Sequence, residues 1–112
     1  MRIWDLPPKI LCRQHLLGEH RELHAIWTVI TQKKKGYSRH PETLRWIGKT
    51  KALYLRHEVL VKEMMNRGYN HFSPLNKRLA KGLSRQRAFV DPPFRQRLLL
   101  QKKKCDCRVK LH

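Results

Sequence analysis

The sequence lacks long apolar runs and an apolar segment at its N-terminus. Its longest uninterrupted apolar stretch covers only residues 52–55, whereas a helix that crosses a bilayer needs about 20 apolar residues. A membrane-spanning helix is therefore excluded, and we expect no membrane partner. The first residues contain no apolar signal core, so we expect a cytoplasmic protein.

Cysteine is also scarce, since the chain contains only Cys12, Cys105 and Cys107. An odd number of cysteines with one close pair is a poor disulfide framework. A structural zinc site usually has four ligands arranged as two close pairs, and C-x-C is not the usual spacing. We therefore expect reduced thiols, with no metal and no cofactor.

Acidic residues are few: 8 Asp and Glu stand against 26 Lys and Arg, which gives a net charge of +18. A field of this sign favours polyanions, of which nucleic acid is the commonest. An anionic membrane surface or an acidic protein would also be attracted. Basic runs at 33–35, 85–87, 95–97 and 102–104 serve either solubility or sequence-independent contact with a nucleic-acid backbone.

Sustained alternation of apolar and polar residues is absent, so strands are not expected. Pro7 and Pro8 separate an N-terminal arm, residues 1–6, from a helix that runs to about Thr31. The buried face of this helix is predicted from apolar residues at spacings of three, four and seven: Leu16, Leu23, Ile26, Trp27 and Ile30. Gly36, which follows three lysines, is predicted to end the helix.

A second long helix is predicted from about Pro41 to Arg67, with Gly68 as its left-handed stop and Tyr69 packing back. Its apolar stripe is formed by Leu44, Ile47, Leu55 and Val59, and it is predicted to contain a partly buried ion pair between Glu58 and Lys62. A short helix is expected over Leu75–Leu83, and a last one from Pro92 to near Lys103. These elements predict a small all-α, single-domain bundle of two long helices plus shorter C-terminal helices over residues 1–101. A basic, flexible tail is expected over 102–112.

The first helix also carries a polar face, which comprises Gln14, His15, Gly18, Arg21, Glu22 and Ala25. Glycine inside a helix costs about 1 kcal/mol relative to alanine, so Gly18 indicates the close approach of another backbone or of a ligand. The alternative is a solvated face on which Glu19, Arg21 and Glu22 form local ion pairs. Spacing alone leaves both interpretations open.

Several of these residues resemble a known family. Arg2-Ile3, Gln14-His15-Leu16 and Glu19-x-Arg21-Glu22-Leu23 are similar to the N-terminus of the phage-type pyrimidine-dimer DNA glycosylase/AP lyase family, often called endonuclease V. The similarity resumes in the second helix at Leu53, Arg56, Leu60, Glu63 and Arg67-Gly68-Tyr69. It covers residues 1–32 and 52–69.

The resemblance implies an all-helical fold and a reaction that begins at the free α-amine of the first residue. It implies that Met1 supplies the amine and that Glu22 is the catalytic carboxylate. It also implies contacts with DNA from Arg2, Gln14, His15 and Arg21. An α-amine has an ordinary pKa of about 7.7 to 8.0, so a useful fraction is neutral and nucleophilic at neutral pH.

We therefore expect a DNA repair glycosylase with AP lyase activity, acting as a monomer on double-stranded DNA and associated with the nucleoid when bound. Ala25 stands where the family has a further phosphate-binding arginine. The substrate thus stays open between a pyrimidine dimer and an abasic or otherwise damaged site. The alternatives are a non-enzymatic basic helical protein that binds DNA or RNA, and a family relative that has lost catalysis.

Overall fold

The computed structural model describes residues 2–36, 38–70, 73–103 and 107. Its α-helices are α1 Arg13–Thr31, α2 Pro41–Leu44, α3 Thr50–Asn66 and α4 Pro93–Lys102, and 3₁₀ turns occupy Pro8–Ile10 and Lys77–Leu79. These ranges contain no strand, so the predicted all-α class is confirmed. None of the helices in them has the length and apolar character that crossing a membrane requires.

The hydrophobic core lies where α1, α3 and the N-terminal arm meet. From α1 it receives the predicted apolar face, on which Leu16, Leu23, Ile26 and Trp27 are buried. The other parts of the chain add a further set of buried side chains: Ile3, Trp4, Leu6, Leu11, Trp46, Ala52, Leu53, Leu60, Met64 and Leu100. Burying one such large apolar side chain contributes about 1.5–3 kcal/mol. The arm is therefore part of the core rather than a separate extension.

The predicted second long helix is wrong as a single element, because the chain breaks after α2 and starts again at Thr50. The break is at Gly48, whose φ is +75°. A Cβ at Gly82, which also has a positive φ, would collide with the carbonyl group of Gly48. Two glycines thus allow the segment around residue 82 to lie directly on the turn before α3.

This contact also completes the N-terminal end of α3. The N–H groups of Lys51 and Ala52 donate to the carbonyl groups of Lys81 and Leu83, at 2.9 and 3.2 Å. These are among the N–H groups that an α-helix leaves without internal partners. The segment is therefore extended along α3, and the helix predicted over Leu75–Leu83 is reduced to the 3₁₀ turn at Lys77–Leu79.

Helix ends were predicted with mixed success. Gly68 has a φ of +80° and the N–H of Tyr69 donates to the carbonyl of Met64, so the predicted left-handed stop after α3 is confirmed. After α1 the same geometry is taken by Lys33 (φ +52°), with the N–H of Lys34 donating to Val29. The prediction of Gly36 as the stop is wrong. The helix predicted from Pro92 to near Lys103 is confirmed by α4.

The apolar stripe predicted for the second helix lies on the surface. Its members Leu44, Ile47, Leu55 and Val59 are all exposed. The break at Gly48 changes the rotational phase, so α3 buries Leu53, His57, Leu60 and Met64 instead. Glu58 is exposed and lies 3.1 Å from Nδ1 of His57, so the predicted partly buried pair with Lys62 is wrong.

Candidate active site

The N-terminal arm is held in place through its backbone. Three consecutive arm residues donate their N–H groups to oxygens of interior side chains: Ile3 to Glu42 (3.1 Å), Trp4 to Glu19 (3.1 Å) and Asp5 to Gln96 (2.7 Å). The carbonyl of Ile3 accepts from Arg45, and that of Leu6 accepts from Arg56. Buried backbone groups need such partners. Here side chains supply them, and they fix the arm beside α1 from residue 3 onward.

Two buried ion pairs support these contacts. Glu19 accepts from Nε and Nη2 of Arg56 at 2.7 and 3.0 Å. Glu42 accepts from Nε and Nη2 of Arg45 at 2.8 and 2.6 Å. Arginine–carboxylate pairs with two N–H donors fix geometry as well as charge. The arm is therefore attached to rigid supports.

Glu19 is 2% exposed, so the interpretation that placed it in a local ion pair on a solvated face is wrong. It lies three residues after Leu16 and four before Leu23, which is the buried side of α1. Desolvation raises the pKa of the Glu19 carboxyl, and the Arg56 guanidinium opposes that rise by stabilising the charged form.

The polar face of α1 is turned away from this core. Gln14, Arg21 and Ala25 are exposed, while Gly18 and Glu22 are half-buried. Apart from its chain neighbours and the backbone of its own helix turn, a Cβ built at Gly18 would meet no atom of the described residues within 4 Å. Of the two reasons suggested by a glycine at this position, the approach of another backbone from the described ranges is therefore excluded, and the approach of a ligand stays open.

Glu22 and Arg21 are available for an external ligand. Within the described ranges, neither side chain forms an ion pair or hydrogen bond with another residue. The local ion pairs expected of a solvated face are therefore absent there. A half-buried carboxylate next to an exposed guanidinium can hold a proton or a positive charge on one side and a phosphate on the other.

Arg2 is less available than Arg21. Its guanidinium lies 2.9 Å from a carboxylate oxygen of Asp91 and 5.2 Å from the ring centroid of Trp4. The Trp4 ring is buried and meets His15 edge-on, with the two ring centroids 5.8 Å apart. Trp4 thus covers the core and also joins the arm to the first turn of α1.

The His15 side chain has two sulfur neighbours within the protein. Its Nδ1 lies 3.1 Å from Sγ of Cys12 and 3.2 Å from Sγ of Cys107. Burial lowers the pKa of the His15 imidazole, and the charge of Lys103 lowers it further.

Met1 and its α-amine lie outside the described residues, as does Cys105. The predicted nucleophile and the roles predicted for Gln14, His15, Arg21 and Glu22 stay predictions. The structure brings Arg2 close to Trp4, and Trp4 close to α1 through Glu19 and His15. The predicted residues therefore lie on elements that contact one another.

A comparison with models of protein families identifies the family of this chain. A family model described as pyrimidine dimer DNA glycosylase matches residues 1–77. The chain belongs to the pyrimidine dimer DNA glycosylase family. At the level of the family, this assigns the chain to DNA repair glycosylases, and the matched range contains the arm, α1, α2 and α3. Neither a search of curated proteins nor a search of solved structures finds a match.

The sequence analysis did not predict the residues that hold the N-terminal arm in place. Glu19 interrupts an otherwise apolar helix face, and that position was a usable signal of a buried charge. Glu42, Arg45 and Gln96 gave no comparable signal, because their partners lie far along the chain. The convergence of Cys12 and Cys107 on His15 was also missed, since only the fold brings them together.

Proposed function

We propose that this protein is a DNA glycosylase with AP lyase activity that acts on damaged or abasic duplex DNA through the Met1 amine and Glu22. The observation that carries the proposal is the anchored arm. Its residues 3–5 are fixed through their own N–H groups to Glu42, Glu19 and Gln96. A reaction that uses the first atom of a chain requires that the following residues have one position.

The neutral amine of Met1 attacks C1′ of the damaged nucleoside as the bond from C1′ to the base breaks, and the base leaves with the electron pair of that bond. Loss of a proton from the nitrogen and opening of the sugar ring give a Schiff base. Removal of a proton from C2′ then expels the 3′ phosphate by β-elimination. Hydrolysis of the imine releases the product and regenerates the amine.

Glu22 is proposed to stabilise the positive charge that develops on the sugar and to transfer protons during ring opening and elimination. Its half-buried position on the polar face of α1 supports this role. Glu19 lies one turn earlier and is saturated by Arg56 and Trp4. Glu22 is therefore the carboxylate of this pair that can reach a substrate.

Binding is proposed to depend on phosphate contacts. Arg21 is exposed and has no ion-pair partner among the described residues, so its guanidinium can donate directly to a phosphate. Arg2 has to share or exchange its contact with Asp91. Gln14 and His15 are proposed to lie near the lesion. The net charge of +18 supplies a sequence-independent attraction, which offsets the cost of distorting the duplex so that the sugar is reached.

The experiment is an analysis of reaction products. The protein is incubated with three matched duplexes that contain a pyrimidine dimer, an abasic site or no damage, without added divalent cation. We expect cleavage of the abasic duplex to leave the unsaturated aldehyde end of a β-elimination. A 3′-hydroxyl end, which indicates hydrolysis, or no cleavage of either damaged duplex would contradict the proposal. The dimer duplex reports whether base excision extends to that lesion.

A further inference from the structure

Three soft or borderline metal ligands converge near the start of α1. Cys12 immediately precedes the helix, His15 lies in its first turn, and Cys107 comes from the C-terminal segment. The Nδ1 atom of His15 is 3.1 Å from Sγ of Cys12 and 3.2 Å from Sγ of Cys107. All three ligand atoms lie within 4.8 Å of one another.

These separations suit a tetrahedral zinc ion. Zinc binds sulfur at about 2.3 Å and imidazole nitrogen at about 2.0–2.1 Å, which places neighbouring sulfur and nitrogen ligands roughly 3.5 Å apart. Two sulfurs and an imidazole also discriminate against magnesium and calcium, which prefer oxygen ligands. The two sulfur–nitrogen distances are thus only a few tenths of an ångström shorter than zinc coordination requires.

A backbone hydrogen bond already orients one of the two sulfur atoms. The N–H of Cys12 donates to Sγ of Cys107 at 3.1 Å, and hydrogen bonds of this kind orient and stabilise ligands around a metal. No disulfide joins the described cysteines.

We propose that Cys12, His15 and Cys107 bind a zinc ion that ties the C-terminal segment to the start of α1. The proposal rests on these three ligands and does not depend on Cys105, which lies outside the described residues. It replaces the expectation of no metal, which rested on chain spacing alone. It gives His15 a metal-binding role in place of the DNA contact proposed above, and it leaves the roles of the Met1 amine and Glu22 unchanged.

A second cluster, His20, His24 and His57, provides the internal control. Their ligand atoms also lie within 4.8 Å of one another, and Nε2 of His24 is 3.1 Å from Nε2 of His57. This cluster offers three imidazoles and no sulfur ligand. If the cysteine site holds the zinc, variants of the two clusters will differ in metal content.

The test measures zinc in the full-length protein, purified with a non-chelating reductant. We expect about one zinc ion per chain. The variants Cys12→Ser, Cys107→Ser and His15→Ala are expected to lose most of that zinc, whereas His24→Gln keeps it. Cobalt(II) in the wild-type protein is expected to give thiolate-to-cobalt charge-transfer absorption, which Cys12→Ser abolishes. Circular dichroism checks that each variant retains its helices.

A measurement on the wild-type chain avoids any dependence on the folding of variants. Bound zinc is expected to protect Cys12 and Cys107 from alkylation, as read by peptide mass spectrometry, and removal of zinc by a chelator is expected to expose both thiols together. Absence of zinc from the wild-type protein, a disulfide between Cys12 and Cys107 in its place, or retention of zinc in both serine variants would overturn the proposal.

Discussion

Glu19 and Glu22 lie within one turn of α1, yet the fold uses them in opposite ways. Glu19 is buried and accepts hydrogen bonds from Arg56 and from the backbone of Trp4. Glu22 is half-buried on the polar face of α1 and has no ion-pair or hydrogen-bond partner within the described ranges. The comparison teaches that the same residue type fixes the N-terminal arm on one side of a helix and is left for a substrate on the other.

Replacing Glu19 is expected to have the largest effect, and that effect is on stability. Glu19→Ala leaves the charge of Arg56 and the N–H of Trp4 without their partner in the interior. Removing one member of a buried pair costs about 3–5 kcal/mol. Urea denaturation measures this loss directly. A change in unfolding free energy below about 1 kcal/mol, as at an ordinary surface site, would contradict the structural role given to Glu19.

Replacing Glu22 is expected to change activity rather than stability. Glu22→Gln keeps the shape of the side chain but removes the charge and the proton acceptor, so cleavage of abasic duplex DNA falls by about 10²–10⁴-fold. Unfolding free energy and DNA affinity stay close to those of the wild type. The control is Glu58→Gln, at an exposed glutamate of α3. Equal cleavage rates in the two variants would argue that Glu22 is only a surface residue.

Arg21 and Arg2 are expected to contribute unequally to DNA binding. Each phosphate contact contributes about 0.9 to the slope of log affinity against log salt on duplex DNA. Arg21→Ala is expected to reduce the slope by about one contact. Arg2→Ala is expected to reduce it less, because Arg2 is already paired with Asp91. Fluorescence anisotropy over a salt series measures both slopes, and the reverse order would show that Arg2 is the principal phosphate ligand.

Replacing two glycines by alanine is expected to have the smallest effects, and these are on stability. Gly18→Ala places a methyl group where no described atom lies within 4 Å, so it is expected to stabilise the helix by about 0.5–1 kcal/mol. Gly68→Ala is expected to destabilise, because its φ of +80° costs a residue with a Cβ about 1–2 kcal/mol. Thermal unfolding measures the stability of both variants. A loss of stability in Gly18→Ala would mean that another part of the protein covers the polar face of α1 in solution.

The local part of the fold was predictable from the sequence, whereas the distant contacts were not. The buried face of α1 follows from the spacing of Leu16, Leu23 and Trp27, and the end of α3 follows from Gly68. The break before α3 depends on the fit of Gly82 against Gly48, which no local pattern contains. Short-range periodicity identified the buried face of α1, but it failed for the second helix, whose predicted apolar stripe is exposed. It also does not record which distant segment covers a turn.

The candidate site divides in the same way. Helical spacing was enough to bring Gln14, Arg21 and Glu22 to one face, and resemblance assigned their roles. The anchoring of the arm required the complete fold, because Glu42 and Gln96 reach Ile3 and Asp5 from other parts of the chain. A carboxylate that interrupts an apolar face, as Glu19 does, is the signal that sequence reasoning can use for such an anchor.

The most direct test of the account is borohydride trapping on an abasic duplex, followed by peptide mapping of the covalent product. The account predicts that protein with a free Met1 amine is trapped and that the adduct maps to residue 1. An uncleaved N-terminal extension is expected to abolish trapping and leave salt-dependent binding intact, whereas a C-terminal extension has little effect. Equal trapping of the N-terminally extended protein, or an adduct on a lysine side chain, would contradict the account.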